Sequence, residues 1–325
     1  CDRLIGKKLG HETIKRIAES LEMKVEKEDA EGLNLLVPPY RVDVQRPCDV
    51  VEDILRIYGY NNVEIPTELK SSLTIAEEAD KNYHRENIIG EQLVGAGFSE
   101  IMNNSLTKSS YYEETGLNAY PWEETVKVMN PLSADLGVMR QTLLFGGLES
   151  IVRNVNRKAQ NLRFFEVGNV YKFNKEKWTE ESPIKAYTQD YHMALWVTGK
   201  RIQGSWAHPD QESSFYELKA YVENILRRIG IAQGLLVSEK SDNNVFDKAI
   251  ALKTRAGKVL VEMGILSHKL LKSFDINQKV YYAELDWAGL MKAIRKNKLQ
   301  FQEISKYPAV SRDLALLIDN NVEFA

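Results

Sequence analysis

Leu162-Arg-Phe-Phe-Glu-Val-Gly-Asn-Val-Tyr171 reads as one long strand buried on both faces, and it sets the terms for the rest of the chain. Further strand-like segments follow at Tyr191–Val197, Val245–Leu252, Val259–Leu266 and Val280–Asp286. Between them lies a helix at about 214–229, where Phe215, Leu218, Tyr221, Val222 and Ile225 form an apolar stripe. Another helix carries Leu148, Ile151, Val152 and Val155. Strands and helices do not alternate as βαβ units. The pattern predicts an α+β chain built on an antiparallel sheet. Upstream, Asp80 is expected to cap a helix running to about Val94, Phe98–Leu106 to form a strand, and Val126 and Val128 to start another.

A second informative stretch is 41–60. Four carboxylates, Asp43, Asp49, Glu52 and Asp53, fall within eleven residues. Tyr40, Val42 and Val44 alternate with Arg41, Asp43 and Gln45, which predicts a strand stopped by Pro47. Asp49 then stands where an N-cap belongs, and Glu52 three residues later completes a capping box. Val51, Ile54, Leu55 and Tyr58 make the helix stripe that ends at Gly59. Two readings of the acids stand side by side. Carboxylates at a helix start complement the macrodipole and accept from free N–H groups, which requires no ligand. Alternatively, an oxygen-only set suits a hard cation such as magnesium.

Residues 1–68 form the first expected domain: a helix near 11–22, a hairpin of Met23/Val25 with Leu33–Val37, and the acidic helix. That order suggests a small winged-helix-like module. Lys7, Lys8, Lys15 and Arg16 either contact RNA phosphates or form the solvated face of an amphipathic helix. The second expected domain spans 69–300, after a linker at about Pro66–Ala79, and 301–325 is too short for a domain.

Composition bounds the function. Hydrophobic content of 43% with 27% charged residues is that of a globular protein. A net charge of −3 argues against wholesale coating of nucleic acid but leaves room for a local basic face. No apolar run approaches the ~20 residues of a membrane span. Two cysteines, Cys1 and Cys48, cannot build a zinc framework, and the expected setting is the reducing cytoplasm. The five histidines show no ligand spacing, the five tryptophans are scattered, and no phosphate-binding loop or dinucleotide fingerprint occurs. The chain starts at Cys1 and stops in an apparent strand and turn, so a piece of a longer protein is expected.

Several motifs resemble one family. Asp43-x5-Asp49-x-x-Glu52-Asp53 followed by Ile54-x-Arg-Ile-Tyr-Gly-Tyr is similar to the small domain upstream of the core in bacterial phenylalanyl-tRNA synthetase β subunits. Gly90-Glu-Gln-Leu-Val-Gly-Ala-Gly-Phe-Ser-Glu-Ile, Asn130-Pro-Leu-Ser with Met139-Arg-Gln-Thr-Leu-Leu, and Arg163-Phe-Phe-Glu-Val-Gly-Asn-Val-Tyr resemble its class II synthetase-like core. Tyr307-Pro-x-x-x-Arg-Asp-Leu-Ala resembles the start of its ferredoxin-like anticodon-binding domain. The resemblance implies a magnesium ion held by Asp43, Asp49, Glu52 and Asp53 and shared with an α subunit. It further implies an α2β2 assembly with tRNA as partner and ATP used at α. Asp53 stands where the family pattern usually has Glu.

Catalysis by this chain is not expected. An adenylating class II site needs arginines aimed at a triphosphate. Arg163 and Glu166, three apart on a strand, point to opposite faces, and no Gly-rich segment ending in Arg follows. Glu166 is expected to be a structural carboxylate. The function expected is that of a non-catalytic portion of a phenylalanine–tRNA ligase that holds α and orients tRNA. A free-standing nucleic-acid-binding protein and an autonomous aminoacylating enzyme are the rivals.

Overall fold

The computed structural model describes residues 1–29, 32–65, 67–68, 77–231, 234–295, 303–319 and 322. The chain divides into two compact units, 1–75 and 76–325.

The first unit contains α1 (Asp2–Ile5), α2 (His11–Ser20), a hairpin of β1 (Lys24–Asp29) and β2 (Gly32–Leu36), and α3 (Pro47–Tyr58). The strands pair from Lys24↔Leu36 to Asp29↔Gly32. Ile5, Leu9, Ile17 and Ile54 bury the contact between the helices, while Ala18, Met23 and Val44 close the side facing the hairpin.

The strand expected over Tyr40–Val44 does not form. Pro38 to Val44 runs as two turns, with Arg41 N–H donating to Pro38 O (3.0 Å) and Val44 N–H to Arg41 O (3.2 Å). Only Val44 of the alternating set is buried; Val42 is 75% exposed. The physical reason is visible in Arg41. The turns carry its guanidinium to Asp43 and Asp53, and a straight strand would point it to the opposite face from Val42 and Val44, with no neighbouring strand among the described residues to pair with.

The second unit is built on a seven-stranded sheet. In chain order its elements are α4 (Glu78–Gly95), β3 (Ser99–Glu100), β4 (Leu106–Thr107), α5 (Ser110–Glu113), β5 (Val138–Met139), α6 (Leu144–Val155), β6 (Leu162–Phe173), β7 (Tyr187–Thr198), β8 (Lys200–Ile202) and β9 (Gln211–Glu212). There follow α7 (Phe215–Ile229), β10 (Val237–Ser241), β11 (Phe246–Lys253), β12 (Val259–Leu266), α8 (His268–Ser273), β13 (Val280–Asp286) and α9 (Trp287–Ile294). The sheet order is β10-β11-β12-β13-β7-β6-β3. Every pairing is antiparallel except β3 with β6. The α+β expectation with an antiparallel sheet therefore holds.

Strand alternation divides the sheet's side chains between two cores. Phe164, Ala194, Trp196 and Tyr282 face α6 and its Leu144, Leu148 and Ile151. Phe165, Leu195, Val197 and Ala283 face the other way, with Ile89 and Leu93 of α4, Val222 of α7 and Leu290 of α9. Each side chain of this size contributes roughly 1.5–3 kcal/mol when fully buried.

Two further expectations fail locally. Phe98–Leu106 does not form one strand: β3 has two residues, and the chain then leaves the sheet edge to make β4 with β5. Val126 and Val128 flank one isolated bridge, Lys127↔Val138. Residues 303–319 hold neither helix nor strand, so the alternation of Leu314, Leu316 and Ile318 has no sheet to join.

Candidate functional site

Asp49 is not the N-cap of α3. Pro47 takes the first helical position, and Asp49 two residues later turns back on the chain. Its Oδ2 accepts from Arg46 N–H (2.8 Å) and Gln45 N–H (3.0 Å). Those backbone bonds hold the Asp49 carboxyl below the usual carboxylate range. Glu52 lies exposed on the helix. Asp53 is 7% exposed and faces Arg41.

Arg41 joins the remaining pair of acids. One of its terminal nitrogens lies 3.0 Å from Asp43 Oδ2 and 2.5 Å from Asp53 Oδ2, and Arg56 approaches Asp53 at 3.5 Å. The Arg41 contact holds the Asp43 carboxyl below its usual range. Two of the four acids thus already share a cation, a guanidinium. Asp49 addresses the backbone of the turn with Oδ2 and the Arg46 guanidinium with Oδ1 (3.3 Å). Among the described residues no three Asp, Glu, His or Cys side chains are gathered so as to hold a metal ion. In this arrangement the four acids do not form a ready magnesium cage.

The second unit carries a different set of charged groups, on the α6 face of the sheet. Glu166 on β6 is opposite Ala194 on β7, Ala194 is opposite Glu284 on β13, and Glu284 is opposite Glu262 on β12. Three carboxylates therefore lie in one register row across the sheet. Each is satisfied from within the chain.

Glu166, 1% exposed, accepts from Arg140 (2.6 Å), Asn103 N–H (3.1 Å) and Asn103 Nδ2 (2.6 Å). Arg140 also donates to Asn169 O and Asn103 O. Gly168 makes room for it, because a Cβ there would overlap the guanidinium. Glu284 accepts from Thr142 and Tyr282 hydroxyls (2.6 Å each) and meets His192 Nδ1 at 2.8 Å. Burial pushes the Glu284 carboxyl up, but His192, Thr142 and Tyr282 outweigh it and hold it below its ordinary value. Glu262 accepts from Ser241 and from Asn243 Nδ2 (2.6 Å), and burial raises its carboxyl.

Arg163 and Glu166 do lie on opposite faces. Arg163 turns to the α7 side, where it pairs with Glu217 at 3.1 Å and donates to Ala96 O and Arg201 O. Glu166 is the hydrogen-bonded structural carboxylate expected from the sequence. The roles of Arg140, Glu284 and Glu262 were missed in the sequence. The available signal was a lone Glu in each of the apolar runs Val259–Leu266 and Val280–Asp286.

Comparison with known proteins places these features in a family. The profile of the phenylalanyl tRNA synthetase beta chain CLM domain matches residues 65–287. The chain belongs to the phenylalanyl-tRNA synthetase β-chain family. The profile of the tRNA synthetase B5 domain matches residues 1–60. The chain is 58% identical over 322 residues to the phenylalanine–tRNA ligase β subunit of Bacteroides thetaiotaomicron, covering 99% of this chain and 39% of that subunit. The same subunit from Porphyromonas gingivalis is 46% identical over the same shares. The chain thus spans about two fifths of the length of these relatives. Among solved structures, the pyrrolysyl-tRNA synthetase of Desulfitobacterium hafniense aligns with a TM-score of 0.48 at 14% identity, covering 66% of this chain and 69% of that one. In this chain, Asn130–Arg140 supplies Arg140 to Glu166, and Phe165–Gly168 supplies both the acceptor and the space for it.

Proposed function

We propose that the chain is a non-catalytic portion of the β subunit of a cytoplasmic phenylalanine–tRNA ligase. It holds the catalytic α subunit, within an α2β2 assembly, and helps orient tRNA. ATP is consumed at α. The second unit is read as a class II synthetase-like core, the first as a small winged-helix-like domain, and 301–325 as the opening of a ferredoxin-like domain.

One observation supports the non-catalytic reading above others: Arg140, Arg163 and Glu166 are all committed to partners inside the chain. Guanidinium groups that neutralise a triphosphate must face an open site. Exposed apolar residues support the docking reading. Tyr83 and Val94 are exposed on α4 eleven residues apart, which places them on one face of the helix, and Met102 follows at the β3 end.

Magnesium is proposed at Asp43, Asp49, Glu52 and Asp53, completed by α. Support comes from Asp43 and Asp53 converging on one cation, Arg41. Binding requires that guanidinium to move aside. The test of the non-catalytic reading is phenylalanine-dependent pyrophosphate exchange by the pure chain. No exchange is expected without α. Exchange by the chain alone would establish an autonomous enzyme.

A further inference from the structure

One end of the large sheet is assembled from three separated segments. The residues after α6 meet the turn between β7 and β8, where Lys200 N–H donates to Asn161 Oδ1 (2.8 Å). Gln278 Nε2 bridges Gln160 O (2.8 Å) and Thr198 Oγ1 (2.7 Å), and Thr198 Oγ1 donates to Lys279 O (2.7 Å). These bonds bring Arg157, Lys158, Arg201 and Lys279 to one edge. All four are exposed, and among the described residues none makes an ion pair. Of the two acids on the β8–β9 hairpin, Asp210 is paired with Lys200 at 2.6 Å, and Glu212 stands opposite Lys200 in the strand register.

Lys158 sits here at a cost. Its φ is 71°, the left-handed conformation in which a helix end usually has glycine. The N–H of Lys158 bonds Val155 O and that of Ala159 bonds Asn154 O, so this is a complete Schellman ending with a lysine at its glycine position.

The hairpin between β8 and β9 rises from the same edge and displays Trp206, 99% exposed. Its tip is tied down. Ser205 N–H donates to His208 O (2.8 Å), Ala207 N–H to Ser205 Oγ (3.2 Å), and Gly204 N–H to Asp210. A fully solvated indole on a tied-down hairpin that leaves the same sheet end as four unpaired cations is what an unpaired nucleic-acid segment requires: phosphates for the cations, a base for the ring. A protein groove would call for apolar companions around the tryptophan. Its neighbours along the hairpin tip are instead Ser205, Ala207, His208 and Pro209.

We infer that this edge is an RNA-contact surface, with Arg157, Lys158, Arg201 and Lys279 on phosphates and Trp206 stacked on a base of the tRNA. This rests on the ligase reading above. The test uses the full-length subunit assembled with α and a phenylalanine tRNA transcript, with affinity measured across a salt series. Arg157→Ala/Lys158→Ala/Arg201→Ala together should weaken binding at least tenfold and flatten the log–log salt slope by about two to three units, at roughly 0.7–0.9 per lost phosphate contact. Trp206→Ala should weaken binding about tenfold with the slope kept, and Trp206→Phe should recover most of that loss. All these side chains are exposed, so the melting temperature should hold. A wild-type assembly that charges tRNA while the triple variant and Trp206→Ala match its affinity and slope overturns this inference alone. Variants that lose α instead, with tRNA affinity intact once assembled, make the edge a protein contact and overturn it too. A wild-type assembly that charges no tRNA overturns the ligase reading itself.

Discussion

Arg140 and Glu166 meet at 2.6 Å, both more than nine-tenths buried, and the chain around them is shaped to permit it. Asn103 supplies two more donors to the carboxylate, and Gly168 leaves the guanidinium its space. A buried ion pair adds little net stability, yet loses much when halved. Arg140→Ala should therefore cost about 3–5 kcal/mol, read as a fall in the denaturant midpoint of the second unit. A cost under 1 kcal/mol would show the pair to be loosely held.

His192 and Glu284 make the stability depend on pH. Burial opposes protonation of His192, but Glu284 outweighs it and raises the imidazole above its ordinary 6.5. That contribution is complete below pH 6.5 and fades as the pH rises through the raised value. Glu284, held below its ordinary 4.5, contributes above pH 4.5 and loses that as the pH falls through its folded value. The pair is worth most between about pH 4.5 and 6.5. His192→Gln should flatten the alkaline side of the melting-temperature profile. An unchanged profile would show that His192 does not carry it.

Gly147 packs its backbone against the Trp196 indole, and a Cβ there would overlap the ring. Trp196 is fully buried and cannot swing aside. Gly147→Ala should cost about 1–3 kcal/mol, typical of overpacking, with a changed tryptophan emission. Wild-type stability and emission together would contradict this packing.

The small unit separates capping from cation binding. Asp49→Asn keeps an acceptor for Arg46 N–H and should spare stability, whereas Asp49→Ala should cost about 1 kcal/mol. Arg41→Ala leaves buried Asp53 without its close partner and should cost about 1–3 kcal/mol. Magnesium should restore part of that loss, since the two acids that shared Arg41 are then free for it. If magnesium leaves the melting of Arg41→Ala unmoved, the cluster is a guanidinium and capping device.

Where the sequence could be read, the signal was continuous burial. Val259–Leu266 and Val280–Asp286 appear with their expected bounds because both faces are covered. The long helices were legible from their apolar stripes. Helix starts were not. Asp49 and Asp80 both looked like N-caps, yet each lies inside the first turn and reaches back, Asp80 to Glu77 N–H at 2.9 Å. An acid can satisfy the free N–H groups from either place. Among the described residues, Glu22, Lys158 and Asp275 take the left-handed conformation at helix ends without glycine. The Tyr40–Val44 alternation misled because periodicity says nothing about whether a partner strand is present. The row of Glu166, Glu284 and Glu262 depends on register between distant strands, which no local pattern encodes.

Docking to α is the central claim, and α4 offers the most direct measurement. Co-purification of this chain with the α subunit should yield one stable complex. Tyr83→Glu/Val94→Glu should elute apart from α with its own fold and melting temperature retained, because both side chains are exposed on one face. A wild-type chain that elutes alone, or a double variant with unchanged affinity for α, would contradict the role assigned to it.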